Sequence, residues 1–321
     1  MSTLSLSDRR PIGHSALRVS PLCLGGNVFG WTAGEGASFE VLDAFVAAGG
    51  NFIDTADVYS RWVPGNTGGE SETLLGKWMK ARKTREAVVI ATKVGSPMPA
   101  GEGLSGAYIR RAVEDSLRRL QIERIDLLYA HKDDPRTPVE ETVRAFDALI
   151  REGKVRAVGA SNFSPARLAE ALEVARRERL ARYEILQPNF NLVERSEFEG
   201  ELEALCRREQ LSVAPYYGLA AGFLTGKYRQ GEPPPASGRA ASVLGRYGNA
   251  RGWAVLEAVR AVAVRHGASP AQVALAWLLA QPTVIAPIAS AISAAQLREL
   301  VGFERLSLDP DDLAALGAPA A

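Results

Sequence analysis

The sequence predicts an α/β fold, a (β/α)8 TIM barrel in which eight parallel strands are enclosed by helices. Two observations support this prediction. Apolar runs of four to eight residues alternate with segments of helical period, which is typical of successive β-α-β units. The runs also number eight, as the strands of such a barrel do. They are residues 20–24, 51–55, 87–92, 125–130, 155–160, 184–187, 211–215 and 283–288.

One barrel domain is expected to occupy the whole chain, residues 1–321. Two ordinary domains would also suit this length, but barrels often exceed the usual domain size and no linker composition divides the sequence. A doubly wound sheet is the other α/β architecture, and it needs a glycine fingerprint after its first strand. The segment LCLGGNVFG (22–30) lacks that spacing.

The elements outside the strands follow from local patterns. Residues 8–19 alternate around Gly13 and predict a hairpin that covers the barrel floor. Residues 105–121 carry apolar side chains at helical spacing, so this helix should pack on the outside of the barrel. Ser269 and Ser293 each precede a helical segment with glutamine three residues later, the pattern of a capping box. A C-terminal helix is expected to complete the fold.

The segment 229–250 has a different composition. It reads RQGEPPPASGRAASVLGRYGNA and is rich in proline, glycine and serine. We expect no regular element here, because this composition favours turns and irregular backbone. At this length such a segment is typical of a functional lid or a mobile loop.

Composition excludes several classes of function. The net charge of +1 favours neither nucleic acid nor an anionic membrane surface as a partner. Two cysteines cannot build a disulfide framework, and three scattered histidines have no metal-ligand spacing, so no metal is expected. The polar N-terminus lacks the apolar region of a signal peptide, and no apolar stretch is long enough to span a bilayer. We therefore expect a cytoplasmic protein, monomeric by default.

Four proton-handling residues lie at or just after the ends of three predicted strands. They are Asp54, Tyr59, Lys93 and His131. In a parallel barrel the carboxyl ends of all strands face the mouth, where catalytic residues collect. Each residue alone could be structural, as a turn cap, a barrel-lining ion pair or a packed ring. Together they predict one site.

These residue types suit carbonyl reduction, in which carbon receives hydride and oxygen receives a proton. A tyrosine can donate that proton, but its ordinary pKa of about 10 makes it a reluctant acid. The ammonium of Lys93 is expected to lower the pKa of Tyr59 and to stabilise negative oxygen, while Asp54 holds the lysine charged. His131 can donate a hydrogen bond to the carbonyl oxygen. A hydrolase or lyase using Lys93 and Asp54 without dinucleotide is the alternative from chemistry alone.

Several motifs together resemble the aldo-keto reductase superfamily, from about residue 9 to 316. They are NFIDTADVY (51–59), ESETLLGKW (70–78), IATKVG (90–95), DLLYAH (126–131), VGASNFS (158–164), LQPNFNLVER (186–195) and GFLTGKY (222–228). The resemblance implies NAD(P)H-dependent reduction of aldehydes and ketones, with Tyr59 as proton donor, Lys93 and Asp54 as its tuning pair and His131 orienting the carbonyl.

The resemblance also implies a set of cofactor contacts. Ser161, Asn162 and Gln187 would hold the nicotinamide carboxamide, and Tyr216 would stack on its ring. Residues 219–227 would bind the pyrophosphate, and Arg239 would fold over the cofactor. The full set of expected contacts is Gly26, Asn27, Asp54, Ser161, Asn162, Gln187, Tyr216, Gly218, Leu219, Gly222, Leu224, Lys227, Arg239, Ser290, Gln296 and Glu299.

Departures from the family pattern concern the 2′-phosphate and the substrate. PIASAIS (287–293) places Ser290 and Ile292 where many relatives carry a cation or hydrogen-bonding group. NADPH is expected on family grounds, with NADH as the alternative. Phe29, Trp31 and Trp62 are expected to line the substrate mouth, with the insertion 60–69 shaping it. A non-catalytic nicotinamide sensor, as in potassium-channel β subunits, is the alternative function that the resemblance leaves open.

Overall fold

A computed structural model describes residues 4–235 and 238–318 of the chain. Its main sheet has eight parallel strands, in the order β10-β3-β4-β5-β6-β7-β8-β9. They are β3 (Cys23–Gly25), β4 (Phe52–Asp54), β5 (Val89–Val94), β6 (Ile125–Ala130), β7 (Val155–Ser161), β8 (Tyr183–Gln187), β9 (Ser212–Val213) and β10 (Ile288–Ala289). Two antiparallel strands, β1 (Arg10–Pro11) and β2 (Arg18–Val19), form a separate hairpin.

The sheet closes between its last two strands. Val213 N–H donates to the Thr283 carbonyl and Ile285 N–H donates to the Val213 carbonyl, both at 2.9 Å. Ile288 N–H then donates to the Pro215 carbonyl at 2.9 Å, and β10 pairs with β3. These bonds confirm the (β/α)8 barrel. All eight predicted strands are present, although several are shorter than predicted and β10 begins at the last residue of its predicted run.

The hairpin lies against the amino-terminal end of the barrel, as predicted. Gly13 has a φ of +49°, and a Cβ at this position would lie 2.6 Å from the Glu184 carbonyl oxygen. Glycine therefore allows the turn to sit directly on β8. The buried hairpin side chains Ile12, Leu17 and Val19 pack with the inward-facing residues of the strands. The hairpin thus forms the floor of the barrel.

Helices connect the strands and cover the barrel, and a second apolar core lies between the two layers. They are α1 (Glu35–Ala47), α2 (Glu70–Arg82), α3 (Gly106–Leu120), α4 (Val139–Arg151), α5 (Pro165–Glu178), α6 (Glu201–Arg208), α7 (Ala240–Tyr247), α8 (Ala250–His266), α9 (Pro270–Leu279), α10 (Ala294–Val301) and α11 (Pro310–Gly317). The amphipathic helix predicted over 105–121 is α3, and α11 is the expected C-terminal helix. Within the described residues, no helix combines the length and apolar character that crossing a bilayer requires.

Two local predictions need correction. The capping box at Ser269 and Gln272 is present, but Ser293 caps α10 alone, because the Gln296 side chain accepts from Ile292 N–H instead. Residues 229–250 were expected to lack a regular element, and α7 lies within them. Its buried Val243 and Tyr247 are four residues apart, so an amphipathic stripe outweighs the surrounding glycines and prolines.

Candidate active site

Lys93, Asp54 and Tyr59 meet at the carboxyl end of the barrel. Lys93 Nζ donates to Asp54 Oδ2 at 2.6 Å and to the Tyr59 hydroxyl at 2.7 Å. Its third short contact is to the Thr55 carbonyl oxygen, at 2.8 Å. The Tyr59 hydroxyl also lies 3.2 Å from Asp54 Oδ2. The His131 ring stands 6.1 Å from the Tyr59 ring, centroid to centroid, so the four predicted residues share one site.

Strand register explains this convergence. Asp54 is the last residue of β4 and pairs with Ala91 of β5, two residues before Lys93. Inward-facing positions alternate along a strand, so both side chains point into the barrel near its mouth. His131 directly follows β6 and its N–H donates to the Val94 carbonyl at 2.9 Å. Tyr59 lies in the turn after β4, where its N–H donates to the Ala56 carbonyl.

Burial dominates the electrostatics of this group. The Lys93 and Asp54 side chains are 1% and 2% exposed. Burial lowers the pKa of Lys93, and the Asp54 carboxylate opposes that change. Leaving either charge unpaired at this depth would cost about 3–5 kcal/mol. Asp54 is itself held by Gln187 Nε2, which donates to Oδ1 at 2.9 Å.

The expected acidification of Tyr59 is wrong for this arrangement. Burial, followed by the charge and hydrogen bond of Asp54, raises the pKa of Tyr59 well above its usual value. The phenol shares its environment with the carboxylate as well as with the ammonium, and both the carboxylate and the lack of solvent favour the neutral form. Tyr59 is therefore fully protonated at neutral pH.

His131 is a neutral imidazole. Burial, followed by the charges of Lys93 and Lys132, lowers its pKa to about 3. Nδ1 is buried, and no hydrogen-bond partner for it lies among the residues that the structure describes. A neutral ring carries one N–H and can orient a carbonyl oxygen without changing its charge at physiological pH.

A cluster of polar side chains lies beside these residues at the ends of β7 and β8. Asn162 Nδ2 donates to the His131 carbonyl and to Ser161 Oγ, both at 2.9 Å. Ser161 Oγ donates to the Gln187 carbonyl at 2.8 Å, and the Tyr216 hydroxyl donates to Asn162 Oδ1 at 2.7 Å. The residues predicted to hold the nicotinamide are thus brought together around one amide. Paired donors and acceptors of this kind fit a carboxamide.

Two cations lie near the turn 219–227. Burial, followed by the charge of Arg239, lowers the pKa of Lys227. A Cβ at Gly222, where φ is +95°, would lie 3.5 Å from Lys227 Nζ, so glycine leaves space beside the ammonium. Within residues 4–235 and 238–318, no carboxylate lies within ion-pair distance of Lys227. A site with two neighbouring cations and an open backbone fits phosphate groups.

The remaining predicted cofactor residues divide into three groups. Ser290 Oγ donates to Asn27 Oδ1 at 2.6 Å, which places this pair at the junction of β10 and β3, beside Gly26. Gly218 and the side chains of Leu219 and Leu224 are buried, so these three can offer only backbone atoms to a ligand. Gln296 and Glu299 are exposed on α10.

Aromatic rings line the mouth, with one exception to the prediction. Trp62 is 49% exposed, Trp31 is half-buried, and their rings meet edge to face at 5.5 Å. Trp62 also contacts the ring of Tyr59 at 6.1 Å. Phe29 is fully buried in the outer core and presents no surface to a substrate. Its place in the substrate set was therefore wrong.

Sequence reasoning missed several residues that bear on the site. The Thr55 carbonyl receives a Lys93 hydrogen bond, and no side-chain pattern could reveal a backbone acceptor. Tyr217 follows the predicted stacking tyrosine, is 42% exposed and contacts Tyr216 edge to face. Glu194 anchors α7 and stands in the motif LQPNFNLVER, where its charge was the available signal.

Comparison with known proteins identifies the family. The profile of the aldo/keto reductase family matches residues 21–318. The chain belongs to the aldo/keto reductase family. Its relatives include the uncharacterized oxidoreductase YrpG of Bacillus subtilis (strain 168), 35% identical over 94% of this chain and 92% of YrpG.

Two further relatives of this aldo/keto reductase have contrasting names. An aryl-alcohol dehydrogenase of Pestalotiopsis microspora is 30% identical over 96% of this chain and 81% of that protein. A probable voltage-gated potassium channel subunit beta of Oryza sativa subsp. japonica is 34% identical over 90% of this chain and 88% of that protein. Family membership makes the protein an oxidoreductase of a group that reduces small carbonyl compounds with nicotinamide cofactors.

Proposed function

We propose that this protein reduces aldehydes or ketones to alcohols with NADPH, and that Tyr59 donates the proton. The observation that supports the proposal most directly is the contact of Lys93 with both Asp54 and Tyr59, at 2.6 and 2.7 Å. Residues 1–321 act in this proposal as one catalytic domain. The bound dinucleotide would supply a hydride to the carbonyl carbon.

Proton transfer follows from the hydrogen bonds of Lys93. Its three ammonium protons point to Asp54, to the Thr55 carbonyl and to the Tyr59 oxygen. The Tyr59 oxygen therefore accepts from Lys93, and its own proton, which it donates to Asp54 Oδ2 at 3.2 Å, would turn to the substrate oxygen for transfer. When that proton moves to the alkoxide, the ammonium already contacts the phenolate that is left.

The raised pKa of Tyr59 is compatible with this role. An alkoxide is a much stronger base than a phenolate, so proton transfer remains downhill even from a weakened phenol. The neutral His131 ring can donate its single N–H to the carbonyl oxygen and hold it near Tyr59. Lys93 and Asp54 are buried at the base of the site, and this low exposure to solvent strengthens their interactions.

The proposed cofactor residues carry two kinds of contact. Ser161, Asn162 and Gln187 would hold the carboxamide, with Tyr216 against the nicotinamide ring, where stacking adds about 0.5–1.5 kcal/mol beyond burial. Lys227 and Arg239 would neutralise phosphates. NADPH is the proposed form because both cations remain, while Ser290 and the exposed Ile292 offer a 2′-phosphate no charge, which leaves NADH as the alternative.

The test is a fluorescence titration with NADPH and NADH, followed by oxidation assays with a panel of aldehydes and ketones. We expect Tyr59→Phe to bind dinucleotide as the wild type does and to lose about 10²- to 10⁴-fold in turnover, the usual contribution of a general acid. If Tyr59→Phe reduces carbonyls as fast as the wild type, the role of Tyr59 is refuted. If neither dinucleotide binds, the proposed function is refuted.

A non-catalytic nicotinamide sensor is the second candidate. The similarity to a probable potassium channel subunit beta favours it. The assembled group of Asp54, Tyr59, Lys93 and His131 favours catalysis, because a sensor needs no proton donor. Tight dinucleotide binding without turnover of any carbonyl in the panel would support the sensor.

A further inference from the structure

We propose that Trp31 serves two sites at once: it lines the substrate mouth and positions Arg239 against the bound dinucleotide. This inference rests on the proposed function, and in particular on Arg239 as a cofactor contact. It makes Trp31 a positioning residue, since it would act on the cofactor through Arg239.

Four side chains in successive contact connect the proposed proton donor to the cation that is proposed to bind the cofactor. They are Tyr59, Trp62, Trp31 and Arg239. The Arg239 guanidinium carbon lies 5.2 Å from the centroid of the Trp31 ring. The rings of Trp31 and Trp62 meet edge to face, and Trp62 in turn contacts the ring of Tyr59. Trp31 is the only one of these rings that the described contacts place against the cation.

The loop that carries Trp31 is held in place by its own bonds and by the neighbouring loop. Gly30 N–H donates to the Ala33 carbonyl at 2.9 Å, which closes a tight turn around Trp31. Ser60 Oγ donates to the Phe29 carbonyl at 2.7 Å, and Asn66 Nδ2 donates to the Gly30 carbonyl at 3.2 Å. The two loops bearing the tryptophans are thus bonded to each other, and Trp31 offers a fixed surface.

An aromatic platform suits this cation better than a carboxylate would. Lys227 and Arg239 are close enough that the charge of Arg239 lowers the pKa of Lys227. A carboxylate at position 31 would neutralise Arg239 and repel phosphate. The face of an indole ring attracts the guanidinium without adding a negative charge beside the proposed phosphate site.

Coupling between the two ligands follows from this shared residue. A carbonyl compound that packs beside Trp31 would exclude water from the ring and so strengthen its contact with the Arg239 guanidinium. By linkage, dinucleotide binding would then favour the substrate by the same factor. The wild type should therefore bind dinucleotide more tightly in the presence of an unreactive carbonyl analogue, for example a carboxamide of an aldehyde substrate.

The experiment compares NADPH binding by Trp31→Leu, Trp31→Phe, Arg239→Leu and the double variant Trp31→Leu/Arg239→Leu. Trp62→Leu is the matched control, because Trp62 lines the same mouth and the described contacts do not join it to Arg239. Thermal melting of each variant checks that it is folded. Kd for NADPH is measured by fluorescence titration at fixed ionic strength.

We expect Trp31→Leu and Arg239→Leu each to raise Kd by about three- to ten-fold, the range of an exposed to partly desolvated cation–π contact. The double variant should be no weaker than the weaker single variant, and Trp31→Phe should restore most of the affinity. Trp62→Leu should change the carbonyl KM and leave Kd at its wild-type value.

Any one of three results would overturn the inference while the proposed function stands. Trp31→Leu could bind NADPH with the wild-type Kd, or the double variant could lose as much affinity as the two single variants combined. Trp62→Leu could also lose as much affinity for NADPH as Trp31→Leu. Absence of dinucleotide binding by the wild type would instead overturn the proposed function itself.

Discussion

The charge states of single side chains decide how this barrel handles protons. Tyr59 is protonated, His131 is neutral and Lys93 is held as an ammonium by Asp54. Each state follows from burial combined with one or two neighbouring charges. In the proposed reduction, Tyr59 would therefore begin with its proton in place.

The pH dependence of reduction should reflect these states. Because the pKa of His131 is lowered to about 3 and that of Tyr59 is raised, we expect reductive kcat/KM to be flat from about pH 5 to 8. An alkaline decline should begin below 10.5, the ordinary value for lysine, because burial lowers the pKa of Lys93. The measurement is kcat/KM against pH at saturating NADPH. An inflection near pH 6.5 that disappears in His131→Gln would contradict a neutral imidazole.

Asp57 is a buried carboxyl group that the proposed chemistry does not use. Both its oxygens are buried, and neither has a hydrogen-bond partner among the described residues. Burial, followed by the Glu72 carboxylate, raises the pKa of Asp57 well above its usual value. The folded protein therefore binds this proton more tightly than the unfolded chain does. The resulting stability is complete below about pH 4 and is lost as pH rises through the folded pKa.

Asp57→Asn should therefore stabilise the protein at high pH and not at low pH. We expect a gain at pH 8 of about 1.4 kcal/mol for each unit by which burial raises the pKa of Asp57, because an amide stays neutral without a bound proton, and almost none at pH 4. Thermal melting at both pH values measures the difference. Glu40→Gln is the matched control, because Glu40 is exposed on α1 and should show no such pH dependence. Destabilisation of Asp57→Asn at pH 8 would refute the reasoning.

The sequence predicted which residues lie in the site better than it predicted how buried their side chains are. Asp54, Lys93 and His131 could be found because an apolar run stops at a polar residue where a parallel strand ends. The burial of Phe29 could not be predicted, because an aromatic residue after a strand can face either the core or the mouth. The direction of the Tyr59 pKa shift also depends on depth and on Asp54, which no linear pattern reveals.

At the scale of elements, α7 joins the proposed cofactor site to the barrel. Arg239 lies at its amino-terminal end. At its other end, Arg246 Nε and the Tyr247 hydroxyl donate to Glu194, at 2.6 and 2.7 Å. Asn189 Nδ2, in the loop after β8, donates to the same carboxylate at 3.0 Å. Glu194 thereby fixes the helix that carries Arg239 at its amino-terminal end.

Glu194→Ala should loosen α7 without touching the catalytic group. We expect a loss of about 1–3 kcal/mol in the free energy of unfolding and a higher Kd for NADPH, because Arg239 loses its anchored helix. Urea denaturation and fluorescence titration measure the two effects. Glu203→Gln is the control, since Glu203 forms an i,i+4 pair with Arg207 on α6 and should change each quantity little. If Glu194→Ala leaves the Kd for NADPH unchanged, the anchoring of α7 by Glu194 does not affect cofactor binding.

Elements with strong periodicity were predicted well, and α7 was not. The helix α3 carries a regular apolar stripe and a serine cap, both visible in the sequence. The eight residues of α7 follow a run of prolines and glycines, and the helix is held by its buried Val243 and Tyr247 and by hydrogen bonds to Glu194, which is distant in the sequence. Propensity alone underestimates a helix that tertiary contacts hold.

The whole molecule separates its functions between two ends. The carboxyl ends of the strands carry the proposed proton donor, the polar cluster and the tryptophans, while the hairpin closes the amino-terminal end with apolar side chains. This division could be predicted from the sequence, because closure of eight parallel strands places every strand end on one side. The lengths of the strands could not be predicted, because they depend on the backbone hydrogen bonds that form where the sheet closes between β9 and β10.

Changes at the floor should therefore alter stability and spare catalysis. Leu17 is 2% exposed and packs with the inward-facing side chains at the base of the barrel. Leu17→Ala would leave a cavity there, at a cost of about 2–5 kcal/mol in the free energy of unfolding. Urea denaturation measures this loss. We expect kcat and KM at 25 °C to stay within about two-fold of wild type, because a cavity under the floor does not move rigidly bonded strand ends.

Val264→Ala is the matched control for the stability measurement, since Val264 is 82% exposed on α8 and its truncation should change the free energy of unfolding by no more than about 0.5 kcal/mol. A fall in kcat/KM for Leu17→Ala of more than ten-fold, with the variant fully folded, would show that the floor and the mouth are mechanically coupled. The barrel would then transmit a change at the hairpin through its strands to the contact between Lys93 and Tyr59, and the separation of the two ends would be refuted.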